Sequence, residues 1–127
     1  YGPFRSAIKS DQNLEGASKH TYQLSYKNLN EALNEVSLDI YEGADIVMVK
    51  PGMPYLDVLK KIKDKFLIPT FVYQVSGEYT MLKNAIDEGV FDNKVIIESL
   101  YSFKRAGADA IITYFAKEVA KELWKYE

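Results

Sequence analysis

A short unit occurs twice in this chain and limits its architecture more than any other feature. "EGADIVMVK" (42–50) and "AGADAIITY" (106–114) each pass from Gly-Ala-Asp into a short apolar strand. Each strand ends on a residue able to do chemistry. The unit reads as a helix stop, a tight turn and a buried strand. Such units, separated by helical patterns, argue for βα repeats and a parallel sheet.

The stretches around the repeat fit that reading. "NLNEALNEVSLDIYEG" opens on Asn28 as an N-cap, with Glu31 at a capping-box spacing. Leu29, Leu33, Val36 and Ile40 form one helical face, and Gly43 supplies the stop. "ADIVMVKP" is apolar at successive positions, as a strand buried on both faces is. Pro54 marks a first helical turn, and Tyr55, Leu59, Ile62 and Phe66 form the next stripe. "PTFVYQVSG" predicts a strand from Thr70 to Ser76. Two helices follow, stopped by Gly89 and Gly107, then a strand in "ADAIITYF" and a last amphipathic helix. Three parallel strands belong either to a doubly wound sheet or to a (β/α)₈ barrel, and spacing does not choose between them. A barrel needs about 250 residues, so a chain of 127 residues with three strands reads as part of one. "YGPFRSAIKS" lacks an initiator Met and suggests the same.

Composition narrows the function. With 47% hydrophobic and 27% charged residues the chain can build a core. A net charge of -2, with basic residues scattered among acids, gives no reason to expect nucleic acid or an anionic membrane as partner. No apolar run reaches the length of a membrane span. The absence of Cys excludes disulfides and thiolate metal sites within these residues and fits a cytoplasmic protein. "KKIKDK" (60–65) is the wet face of a helix, and His20, the single His, is read as a surface residue.

In βα architectures function gathers where strands end. Those exits carry Lys50, then Tyr73 to Ser76, then Thr113 and Tyr114: an amine, hydroxyls and phenols. "IVMVKPGMPYLD" sends an apolar strand straight into Lys50 and then turns at Pro51, Gly52 and Pro54. The bland reading is a lysine that snorkels to water. The sharper one is an amine that condenses with a ketone or aldehyde to a Schiff base. Ser76 and Tyr114 have no acid or base beside them in sequence, so hydrogen bonding to a substrate carboxylate suits both. Arg5, after the stiff Gly-Pro-Phe, could fix a guanidinium on a carboxylate.

"YGPFR", "YQ" (22–23), "EGADIVMVKPGMPYLD", "YQVSGEY" and "KRAGADAIITYFAKEVA" together resemble the C-terminal part of the porphobilinogen synthase (δ-aminolevulinate dehydratase) family. The resemblance runs over essentially the whole chain, in order. It implies a (β/α)₈ barrel that condenses two δ-aminolevulinate molecules to porphobilinogen in tetrapyrrole synthesis. It further implies Lys50 as the Schiff-base lysine of the first substrate, with Ser76 and Tyr114 on that substrate's carboxylate. Arg5, Lys19 and Gln23 would serve the carboxylate of the second substrate, and Phe4 and Tyr73 would line the walls. Many members carry Arg where this chain has Lys19, which points to the bacterial magnesium-type subgroup. Lysine offers a point charge there instead of a bidentate fork. In that subgroup Glu35 of "EALNEV" matches the contact to an allosteric Mg²⁺.

The family's second Schiff-base lysine, much of its catalytic metal site and the arm that builds a homo-octamer match no residue of this chain. The identity of a catalytic-site metal is therefore open. The resemblance makes residues 1–127 the C-terminal part of one catalytic barrel domain, inactive by itself. The competing reading is a non-catalytic module that folds by docking onto a partner or onto the missing barrel half. Another Schiff-base lyase or aldolase on a barrel explains Lys50, but not "YGPFR", Ser76 and Tyr114 together.

Overall fold

The computed structural model describes Phe4 and residues 23–123. Helix α1, Leu29–Tyr41, is capped by Asn28 as expected, its side chain accepting from the Asn30 amide at 3.2 Å. The Asn28 amide, however, donates to the Ser25 carbonyl, so Glu31 closes no capping box. Strand β1 is Val47–Val49. A 3₁₀ turn, Met53–Tyr55, with Pro54 in its first turn, leads into α2, Leu56–Phe66. Strand β2, Thr70–Tyr73, is followed by α3, Ser76–Asp87, and α4, Lys94–Ala106. Strand β3, Ala110–Ile112, and α5, Ala116–Leu123, complete the order. Gly43 and Gly107 lie at φ 103° and 106°, so both repeats leave their helix through the left-handed turn that glycine permits.

The strands pair in parallel in the order β1-β2-β3. Val47 opposes Thr70, and Phe71 opposes Ala110. The face that carries Val47, Val49 and Val72 packs on α1, α2 and α4 with Val36, Leu59, Ile62 and Phe103. Leu59, Val72 and Phe103 are wholly buried, and each burial of that kind is worth roughly 1.5–3 kcal/mol. A second cluster, Leu82, Ile96, Phe115 and Val119, joins α3, α4 and α5.

Two expectations need correction. Burial of the strands on both faces does not hold, since Met48 is 44% and Ile112 41% exposed. Side chains alternate along a strand, so the open face is the one that carries Met48, Phe71, Tyr73 and Ile112. The second strand also ends at Tyr73, short of Ser76, because Ser76 is already the first residue of α3. The reason lies at Glu78, whose carboxylate reaches back to the Val75 amide at 2.6 Å and starts the helix early.

Candidate active site

Lys50 follows directly on β1 and stands one step beyond the Val49–Val72 pair, level with Tyr73 on β2. Its side chain is exposed on the open face, and its Nζ lies 5.8 Å from the centroid of the Tyr73 ring, within cation–π range. The Tyr73 hydroxyl donates to that of Tyr114 at 3.2 Å. Tyr79 of α3 packs against Tyr114 (centroids 5.6 Å apart) and against the buried Phe115 (4.6 Å). The three strand exits thus bring an amine and two phenols onto one surface, with Tyr79 behind the outer phenol.

The other expected residues divide. Ser76 is half-buried at the start of α3. Phe4, also half-buried, packs against that same turn: a Cβ on Gly77 would fall 2.6 Å from its ring. Gln23 lines a broad groove of about 1570 Å³ along the edge of β1 away from β2, which Glu35, Met48 and Lys50 also border. Among the described residues, the Gln23 side-chain oxygen is the buried polar side-chain atom that lacks a hydrogen-bond partner. Glu35 is exposed on α1, and no group of three or more His, Cys, Asp or Glu that could hold a metal ion occurs among the described residues. Arg5, Lys19 and His20 lie outside the described residues.

Two buried polar residues were missed by the sequence reading. Glu78 is 0% exposed, and its carboxylate accepts from the amides of Gly52 (3.1 Å), Met53 (2.5 Å) and Val75 (2.6 Å). Burial pushes its carboxyl above the usual range, and the three amides oppose that shift by favouring the anion. Gln74, also 0% exposed, donates to Ser99 of α4 at 3.2 Å and accepts from Thr113 beyond β3 at 2.6 Å. It locks the ends of two strands to the helix between them. A buried polar group needs such partners. The only hint in the sequence was a Gln and a Glu inside an otherwise apolar or small-residue stretch.

The sequence model of the family described as delta-aminolevulinic acid dehydratase matches residues 1–122. The chain belongs to that family. The delta-aminolevulinic acid dehydratase of Bradyrhizobium diazoefficiens is 57% identical over 124 residues, which are 97% of this chain and 35% of that protein. The same enzyme of Methanothermus sociabilis is 57% identical over 97% of this chain and 38% of its own length. The solved porphobilinogen synthase of Toxoplasma gondii, in complex with its product porphobilinogen, superposes with a TM-score of 0.84 at 52% identity. That match covers 95% of this chain and 34% of the other. The chain therefore spans about a third of the length of the relatives it matches, and its three βα units are part of the family's barrel.

Proposed function

We propose that these residues are the C-terminal part of the catalytic barrel domain of a porphobilinogen synthase, a lyase that condenses two δ-aminolevulinate molecules to porphobilinogen. The observation that carries this reading is the set at the strand exits: the Lys50 amine beside the Tyr73 ring, and the Tyr73 hydroxyl bonded to Tyr114. Family membership, and the product complex of the Toxoplasma gondii relative, support the reaction class.

In this reading the Lys50 amine adds to the ketone carbon of the first substrate. The carbonyl oxygen leaves as water, and the protonated imine draws electrons from the neighbouring carbon. Ser76 and Tyr114 donate hydrogen bonds to that substrate's carboxylate, and Tyr73 and Phe4 form its apolar walls. Gln23, with Arg5 and Lys19, serves the second substrate's carboxylate. The unpartnered oxygen of Gln23 supports a polar group arriving there. Glu35 is the proposed contact to an allosteric Mg²⁺ held mostly through water, a mode that needs only one or two carboxylates. Its exposure on α1 fits such a role. A homo-octamer and a cytoplasmic location are part of the same proposal. No helix among the described residues is long and apolar enough to cross a membrane.

Borohydride reduction in the presence of δ-aminolevulinate tests the central step. In the complete barrel the expected product is a reduced adduct on Lys50, found by peptide mass and absent from Lys50→Met. A well-folded protein that turns over substrate without a Lys50 adduct would remove this residue from the mechanism.

A further inference from the structure

We propose that Glu78 is a positioning residue for the Schiff-base amine, setting both where Lys50 stands and how far it lies from Ser76. The inference rests on the reading of Lys50 given above and adds a residue to it.

The turn that follows Lys50 is gripped from two sides. On one, the Glu78 carboxylate takes the amides of Gly52 and Met53, 26 and 25 positions earlier in the chain. On the other, Gly52 abuts the core so closely that a Cβ would lie 2.7 Å from Phe103 and 2.8 Å from Val72. Pro51 and Gly52 are both buried, and Lys50 is the first exposed residue before the grip.

A helix start by itself does not call for this arrangement. The bond to Val75 would satisfy one amide of the first turn, and a solvated acid at the same position would supply it. The bonds to Gly52 and Met53 do nothing for α3. They tie the exit of β1 to the entrance of α3, across β2. The same Oε2 atom accepts from Gly52 and from Val75, the residue before Ser76. One oxygen therefore sets the distance between the amine and the hydroxyl assigned to the two ends of one substrate. Glu78 is not itself a catalytic residue: it is wholly buried and its oxygens are taken by backbone amides.

Substitution with Gln tests this in the complete barrel. The amide keeps one acceptor oxygen and turns an NH₂ group toward at least one backbone N–H, so the grip opens on one side. Leu82→Ala, in the core cluster that the same helix shares with α4 and α5, serves as the control for lost stability. The rate of borohydride-trapped adduct at Lys50, at saturating δ-aminolevulinate, is read against melting temperature for each protein. Glu78→Gln is expected to trap about tenfold more slowly or worse, since small displacements of a reacting group are costly, while Leu82→Ala keeps the unsubstituted rate. Trapping that falls in both variants in step with melting temperature, or that is unchanged in Glu78→Gln, overturns the proposal. Should Glu78→Gln fail to fold, Glu78→Asp carries the test, with the charge kept and the oxygens drawn back by one methylene. A folded Asp variant that traps slowly supports the proposal, and one that traps at full rate overturns it. Failure of the Lys50 reading is seen separately, as an unsubstituted protein with no adduct.

Discussion

Gly52 leaves no room for even a methyl group in the turn behind Lys50, because the ring of Phe103 and the side chain of Val72 already fill the space. Both neighbours are wholly buried and cannot swing away. Gly52→Ala is therefore expected to cost about 1–3 kcal/mol through overpacking. It should also displace the Lys50 turn, so that thermal unfolding and the Lys50 adduct both suffer. An alanine variant as stable as the parent would show that the turn has slack. In the sequence, Gly52 reads only as a turn residue between prolines. Its real constraint is an aromatic ring from a helix 51 positions on, which no local pattern announces.

At the scale of elements, the two copies of the Gly-Ala-Asp repeat diverge in use. Asp109, in the second copy, accepts from Lys63 of α2 and from the Thr70 amide, both at 2.7 Å. Lys63 also donates to the Ile68 carbonyl at 3.1 Å. This clamp ties the end of α2, the start of β2 and the turn before β3. The hydrogen bond from Lys63 first, and then that from Thr70, hold the Asp109 carboxyl below its ordinary value of 3.8. A lowered folded value means stability that is complete above 3.8 and lost as pH falls below it toward the folded value. Asp109→Asn should unfold at lower denaturant near neutral pH, and its difference from the parent should shrink as the pH drops through that window. A difference independent of pH would separate the clamp from the ion pair. Glu78 runs the other way, since its raised value lends stability at low pH that is lost as pH rises through it. Of these two carboxylates, it is Asp109 whose contribution is lost in acid. The repeat itself was plain in the sequence, whereas the ion pair, between residues 46 positions apart, was not.

Taken as a whole, the described residues hold a three-stranded sheet whose two edges have no described partner and whose one face is open. Ile46 and Met48 on the β1 side are 48% and 44% exposed, and Ile112 and Tyr114 on the β3 side 41% and 55%. Unpaired edges with exposed apolar side chains recruit other strands. Produced alone, the 127 residues are expected to self-associate or to remain loosely packed by size-exclusion chromatography and circular dichroism. They should form no δ-aminolevulinate adduct. A compact, cooperatively unfolding monomer would contradict this, and would mean that the two core clusters suffice without the remaining barrel.

The sequence by itself determined the elements that rest on neighbours a few residues apart. Helical stripes, the Asn28 cap, the glycine stops and the apolar strands lie within one or two turns of chain, so their periodicity is written locally. It also determined the family, through "EGADIVMVKPGMPYLD", "YQVSGEY" and the motifs around them, and with it the place of Lys50 at a strand exit. Tertiary structure decided the rest: the order β1-β2-β3, the open inner face, and the start of α3 at Ser76. It alone revealed Gln74 and Glu78 as the buried groups that hold the exits in place. The physical reason is the cost of a buried polar atom without a partner. Apart from the local bond to Val75, that cost is met by groups 25 to 39 positions away in the chain, and only the folded packing brings them within hydrogen-bond reach.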